Sequence, residues 1–121
     1  RNDDQPVEPM LGQADLERVA GVFRAFAEPT RLAILQELRE GGGRSVNELV
    51  DAVGSFSQAH VSKQLKTLYE TGLVSREKRG NQVFYAVADP IVFEMCRLVC
   101  DTLNRRAKET ALVAFGADEG T

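Results

Sequence analysis

The stretch SQAHVSKQLKTLYETGLVSREKRGNQVFYAV, residues 57–87, changes its hydrophobic period halfway along. Up to Gly72, the residues Val61, Leu65 and Leu68 recur at three- and four-residue spacing, which is one buried face of a helix. Ser57 stands where an N-cap is needed and Gly72 where a helix stops. Beyond Gly72 the pattern turns to alternation, with Val83, Phe84, Tyr85 and Val87 as strand formers and Gly80-Asn81 as a two-residue turn. The sequence predicts a helix over 57–71 followed at once by a hairpin over 74–87.

The segments on either side complete a small domain. Ser45 and Glu48 have the spacing of a capping box, and Val46, Leu49, Val50 and Val53 give the helix they open an apolar face. Gly54 ends that helix, so Gly54-Ser55-Phe56 is a tight turn between two short helices. Upstream, Leu16, Val19, Ala20, Val22, Phe23 and Phe26 mark a first helix, and Pro29 opens a second that Gly41-Gly42-Gly43 ends. Downstream, Pro90 opens a long last helix, IVFEMCRLVCDTLNRRAKETALVAF. The expected fold is mainly α with a small β-hairpin, in the order ααααββα, a winged helix-turn-helix over residues 13–115. Residues 1–12, with Pro6, Pro9 and Gly12 among acids and amides, read as a disordered lead-in, and residues 116–121 as a frayed tail.

Composition narrows the function classes. The chain has 121 residues, enough for one core, with 43% hydrophobic and 27% charged residues. No apolar run approaches the roughly 20 residues of a membrane span, so no membrane partner is expected. The start lacks both an export signal and an initiator Met, which suggests trimming or an excised fragment; the expected compartment is the cytoplasm. Two cysteines make no disulfide framework and should rest there as thiols. A Gly-rich phosphate loop, a Ser-His-Asp arrangement and a metal-spaced His/Cys cluster are all missing, and no enzyme is expected.

Net charge alone, -3, argues against a nucleic-acid protein, but its distribution argues for one. Residues 1–56 carry six Arg/Lys against ten Asp/Glu, residues 57–82 five against two, and residues 83–121 four against six. Only the middle segment is basic. With Val61, Leu65 and Leu68 buried, helix 57–71 should present Ala59, Ser62, Lys63 and Lys66, with Gln58 and Gln64 at the edges. Ser57 and His60 lie at its first turn. These short polar and cationic side chains suit base edges and phosphates in a major groove. Arg76, Lys78, Arg79, Asn81 and Gln82 form a basic hairpin tip suited to the DNA backbone or the minor groove. A winged helix that binds a partner protein is the rival reading, and the basic helix and hairpin discriminate against it.

AFAEPTRLAIL (25–35) together with SQAHVSKQLKTLYETGLVSREKRGNQVFYAV (57–87) resembles the ArsR/SmtB family of bacterial repressors, over roughly residues 15–106. The resemblance implies a homodimer packed through the first and last helices, bound to an inverted-repeat operator in double-stranded DNA and released by an inducer. It requires no cofactor. The family's cysteine box for arsenic and cadmium falls on Ser45 and Asn47 here, and its histidine-rich zinc site on the last helix meets no histidine, because the sole one is His60.

Cys96 and Cys100 remain as candidate sensor residues, four apart on the last helix. Three readings stay open at this point. They are buried small hydrophobes; or thiols joined by oxidants or reactive sulfur; or a soft-ligand pair for a thiophilic ion such as arsenite. Val92, Cys96, Val99 and Leu103 form one stripe at helical spacing, and Phe93, Cys100 and Ala107 its neighbour, so both sulfurs are expected in or beside the subunit seam.

Overall fold

A computed structural model describes residues 10–119; the lead-in before Met10 and the last two residues lie outside it. Helix α1 spans Gln13–Phe26 and α2 spans Pro29–Leu38. Strand β1 (Arg44–Ser45) leads directly into α3 (Val46–Val53), and α4 spans Gln58–Glu70. Strands β2 (Val74–Arg79) and β3 (Gln82–Val87) follow. The last helical segment comprises α5 (Ile91–Met95), a π-helical turn (Cys96–Asp101) and α6 (Thr102–Glu119). The helix therefore continues beyond 115, where a frayed tail was expected.

The local signals act as their chemistry requires. Pro29 occupies the first turn of α2, and Glu28 caps it by accepting from the Arg31 amide at 2.9 Å. Ser45 accepts from the Glu48 amide at 3.2 Å while Glu48 returns to the Ser45 amide at 3.0 Å, which closes the capping box. Gly54 ends α3 at φ 78, a left-handed conformation that would strain a residue with a Cβ.

The core forms where three helical faces meet the root of the hairpin. Ile34, Leu35 and Leu38 of α2, Leu49 of α3, and Val61, Leu65 and Leu68 of α4 are buried against Leu73, Val74 and Tyr85. Two core members, Val92 and Cys96, come from the last helix.

The sheet has three strands in the order β1-β3-β2, all antiparallel. The third strand was not expected from the sequence. Its pairing, Arg44 with Tyr85 and Ser45 with Phe84, is too short to leave a hydrophobic period. The hairpin register, Val74 opposite Val87 through Arg79 opposite Gln82, leaves Gly80-Asn81 as the turn, with Gly80 at φ 63. A glycine first in a two-residue loop matches the twist of the flanking strands.

The last helix departs from expectation. A continuous α-helix would put Val92, Cys96, Val99 and Leu103 on one stripe. Instead Val92 and Cys96 are buried at 0% and 1% exposure, while Val99 and Leu103 are 44% and 56% exposed. The split falls at the π turn, and beyond it the helix leaves the domain, with residues 103–112 exposed on every face. Cys96 thus belongs to the domain's own core.

Candidate nucleic-acid interface

Three elements position the candidate surface. The turn after Gly54 joins α3 to α4, and Ser57 starts α4 by accepting from the His60 amide at 3.1 Å. With Val61, Leu65 and Leu68 turned into the core, Ser57, Gln58, Ala59, Ser62, Lys63 and Lys66 are all exposed. Arg76, Lys78, Arg79, Asn81 and Gln82 are exposed along the hairpin. This accounts for all the basic residues of the 57–82 segment.

Two wing arginines are held by aromatic platforms. The Arg76 guanidinium lies 4.0 Å from the centroid of the Tyr69 ring, at the end of α4, and the Arg79 guanidinium 4.7 Å from that of Phe84. Stacking limits the rotamers of both side chains without using up their hydrogen-bond donors. Glu77 approaches Arg79 at 3.5 Å across an exposed pair, a contact that water screens. The wing tip also closes on the helix-turn-helix: Asn47, Gln58, Asn81 and Gln82 line a notch of about 200 Å³. Asn47 was not among the expected interface residues, because its place beside the wing depends on the β1–β3 pairing.

Two of the expected residues are placed differently. Gln64 is 7% exposed and therefore does not stand at the edge of the open face. It lies three residues after Val61, on the buried side, and its Oε1 accepts from Arg31 Nη1 at 2.6 Å. A charged donor satisfies the carbonyl, which makes the burial tolerable. His60 is half-buried, with its ring turned inward: Nε2 is 3.0 Å from Thr30 Oγ1, and the ring packs against Phe56 at 5.2 Å between centroids.

Both cysteines are free thiols in the π turn, Cys96 buried and Cys100 half-buried. Burial pushes the Cys96 thiol up, and Cys100 beside it adds to the effect. Arg39 forks onto Asp101 of the same turn at 2.9 and 3.0 Å. Among the described residues no three His, Cys, Asp or Glu side chains are grouped to hold a metal ion. No helix among them is long and apolar enough to cross a membrane.

A helix-turn-helix followed by a basic two-stranded wing defines a winged-helix regulator of transcription. Comparison with known proteins agrees. A family model described as a helix-turn-helix domain matches residues 26–77. The transcriptional regulator NmtR of Mycobacterium tuberculosis is 36% identical over 76% of this chain and 74% of its own length. Among solved structures, the homodimeric winged helix-turn-helix DNA-binding fragment of a possible ArsR-family regulator from Mycobacterium bovis is 30% identical, with a TM-score of 0.68, covering 83% of this chain and 95% of that one. The antimony-specific repressor AntR has a TM-score of 0.75 at 27% identity, covering 88% and 96%. The chain belongs to the ArsR/SmtB family of helix-turn-helix transcriptional repressors, and is a regulator and not an enzyme.

Proposed function

We propose that the chain acts as a cytoplasmic homodimer, each subunit of which reads one half-site of an inverted-repeat operator. In this reading α4 enters the major groove, with Ser62, Lys63 and Lys66 facing bases and phosphates and Gln58 and Ala59 at its leading end. The wing, through Arg76, Lys78, Arg79, Asn81 and Gln82, follows the backbone. One observation carries the proposal: the only basic segment of an acidic chain is also the exposed face of α4 and the wing. Dimerisation rests on unpartnered apolar faces, Leu16, Val19 and Phe23 on α1 and Phe93, Val99 and Leu103 on the last helix, all exposed in the single chain. A two-fold dimer then matches an operator of two-fold symmetry.

The proposed inducer is a thiol-reactive or thiophilic agent acting at Cys96 and Cys100. Arsenite would exchange two hydroxyls for the two sulfurs, releasing two waters; a two-electron oxidant such as diamide would take two electrons and two protons from the pair to form a disulfide. Either product would distort the π turn and, through it, Arg39 and the end of α2. The likeness to an antimony-specific repressor supports a thiophilic agent. A second reading, in which the cysteines only pack and the inducer acts elsewhere, is favoured by the 1% exposure of Cys96.

One titration separates these readings. Binding to the protein's own promoter region is measured against diamide, persulfide, arsenite and zinc, for wild type, Cys96→Ser and Cys100→Ser. Release that both substitutions abolish supports sensing at the pair. Identical responses in all three proteins leave the cysteines as packing residues. Lack of salt-sensitive, sequence-selective binding by the untreated protein sinks the repressor reading itself.

A further inference from the structure

The first turn of α2 grips α4 at two places one turn apart. Thr30, buried at 1% exposure, meets the His60 ring at 3.0 Å, and Arg31 donates to Gln64 at 2.6 Å. The same Arg31 guanidinium also holds the end of α1: Nε donates to the Ala25 carbonyl at 2.7 Å and Nη2 to the Arg24 carbonyl at 2.9 Å. One side chain therefore joins the C-terminal turn of α1 to the middle of α4. Its planar fork of donors makes this a directional link, which a lysine could not reproduce.

Apart from the stacking of Arg76 on Tyr69 at its far end, the remaining attachment of α4 is apolar. Val61, Leu65 and Leu68 press it against the core, and such contacts resist separation better than rotation about the helix axis. A small rotation would carry Ser62, Lys63 and Lys66 out of line with a groove. Gln64, between Lys63 and Leu65, is the mid-helix residue whose hydrogen bond, together with the His60–Thr30 contact one turn earlier, resists that rotation.

We propose that Arg31 is a positioning residue for DNA recognition, locking α4 through Gln64 at one rotation and tying it to α1. Because α1 carries the exposed Leu16, Val19 and Phe23, a partner subunit packed there would act on α4 through its last turn and Arg31. The proposal rests on the reading that α4 contacts DNA, and Lys63→Ala tests that reading separately.

The experiment compares wild type, Gln64→Leu, Gln64→Glu, Arg31→Ala, the double variant with Gln64→Leu and Arg31→Ala, and Lys63→Ala. It measures affinity for the operator and for unrelated duplex DNA at one salt concentration, alongside dimer content and thermal midpoint. Gln64→Leu fills the space without offering an acceptor. It should lose about tenfold in the ratio of operator to unrelated affinity while remaining folded and dimeric. Gln64→Glu restores an acceptor for Arg31 and should recover the ratio, since its added charge weakens both DNAs alike. Adding Arg31→Ala to Gln64→Leu should deepen the loss little, because the two act as one link. A folded Gln64→Leu dimer with the wild-type ratio overturns the proposal, provided Lys63→Ala weakens operator binding. So does a loss equal on both DNAs that follows the thermal midpoint, which would mark a purely structural bond. Full operator affinity in Lys63→Ala overturns the reading of α4 and the proposal with it.

Discussion

Arg39, at the end of α2, and Asp101, in the π turn, face each other through two parallel hydrogen bonds of 2.9 and 3.0 Å, across 62 residues of sequence. The pair fastens the turn that carries both cysteines to the helix whose other end grips α4. It also has a consequence for acid stability. The hydrogen bond from Arg39 holds the Asp101 carboxyl below its ordinary value of 3.8. A carboxyl held low when folded binds its proton more weakly than in the unfolded chain. Its contribution is therefore present above the ordinary range and is lost as pH falls through the folded value. Wild type should unfold at higher denaturant concentration than Asp101→Asn at pH 7 and pH 5, and the gap should close as the pH falls below 3.8. A gap that is unchanged in acid would show that the pair contributes nothing through its charge.

Removal of the capping hydroxyl at Ser45 should be felt more strongly than its place in a two-residue strand suggests. Ser45→Ala deletes an acceptor for the Glu48 amide at the start of α3, in a position only 4% exposed. The expected loss is about 1 kcal/mol, or roughly 4 °C in thermal midpoint for a domain of this size. A midpoint within a degree of wild type would contradict the role of the cap.

The two thiols should differ in reactivity. Cys96 sits in the core with its thiol pushed up by burial, whereas Cys100 is half-buried. Alkylation of the native protein by iodoacetamide, followed by peptide mass mapping, should label Cys100 first, with Cys96 slower by about tenfold or more. Equal labelling rates in the folded state would mean that the π turn opens readily.

Phe23 is 60% exposed on the apolar side of α1. Phe23→Glu should shift sedimentation from dimer toward monomer at micromolar concentration while the helical circular dichroism is retained. Operator affinity should fall with the dimer content, since each half-site then binds alone. A dimer of undiminished stability would place the seam elsewhere.

Much of this molecule was legible in its sequence because the decisive signals were local. The capping box at Ser45 and Glu48, Pro29 at the head of α2, Gly54 after α3 and Gly80 in the hairpin each act within a few residues. The departures are all long-range or cumulative. Gln64 looks like an edge residue until Arg31, 33 positions away, supplies the donor that lets it be buried. The pairing of Arg44 with Tyr85 adds a third strand that two residues cannot announce. After the π turn at Cys96–Asp101 the last helix leaves the domain, so a stripe that is continuous in sequence is divided between core and open surface. The open face of α4 and the wing was readable because charge and period coincide there, whereas Asn47 enters the notch beside Gln58 and Gln82 only through the tertiary fold.

The central claim is that α4 reads bases while the wing holds the backbone. It is tested most directly by operator affinity measured across salt concentrations for wild type, Lys63→Ala and Arg79→Ala. Arg79→Ala should weaken operator and unrelated DNA alike and reduce the slope of log affinity against log salt by about 1. Lys63→Ala should weaken the operator by about tenfold or more and unrelated DNA much less. Unchanged affinity and slope in Arg79→Ala, together with an unchanged operator preference in Lys63→Ala, would contradict the assignment of both elements.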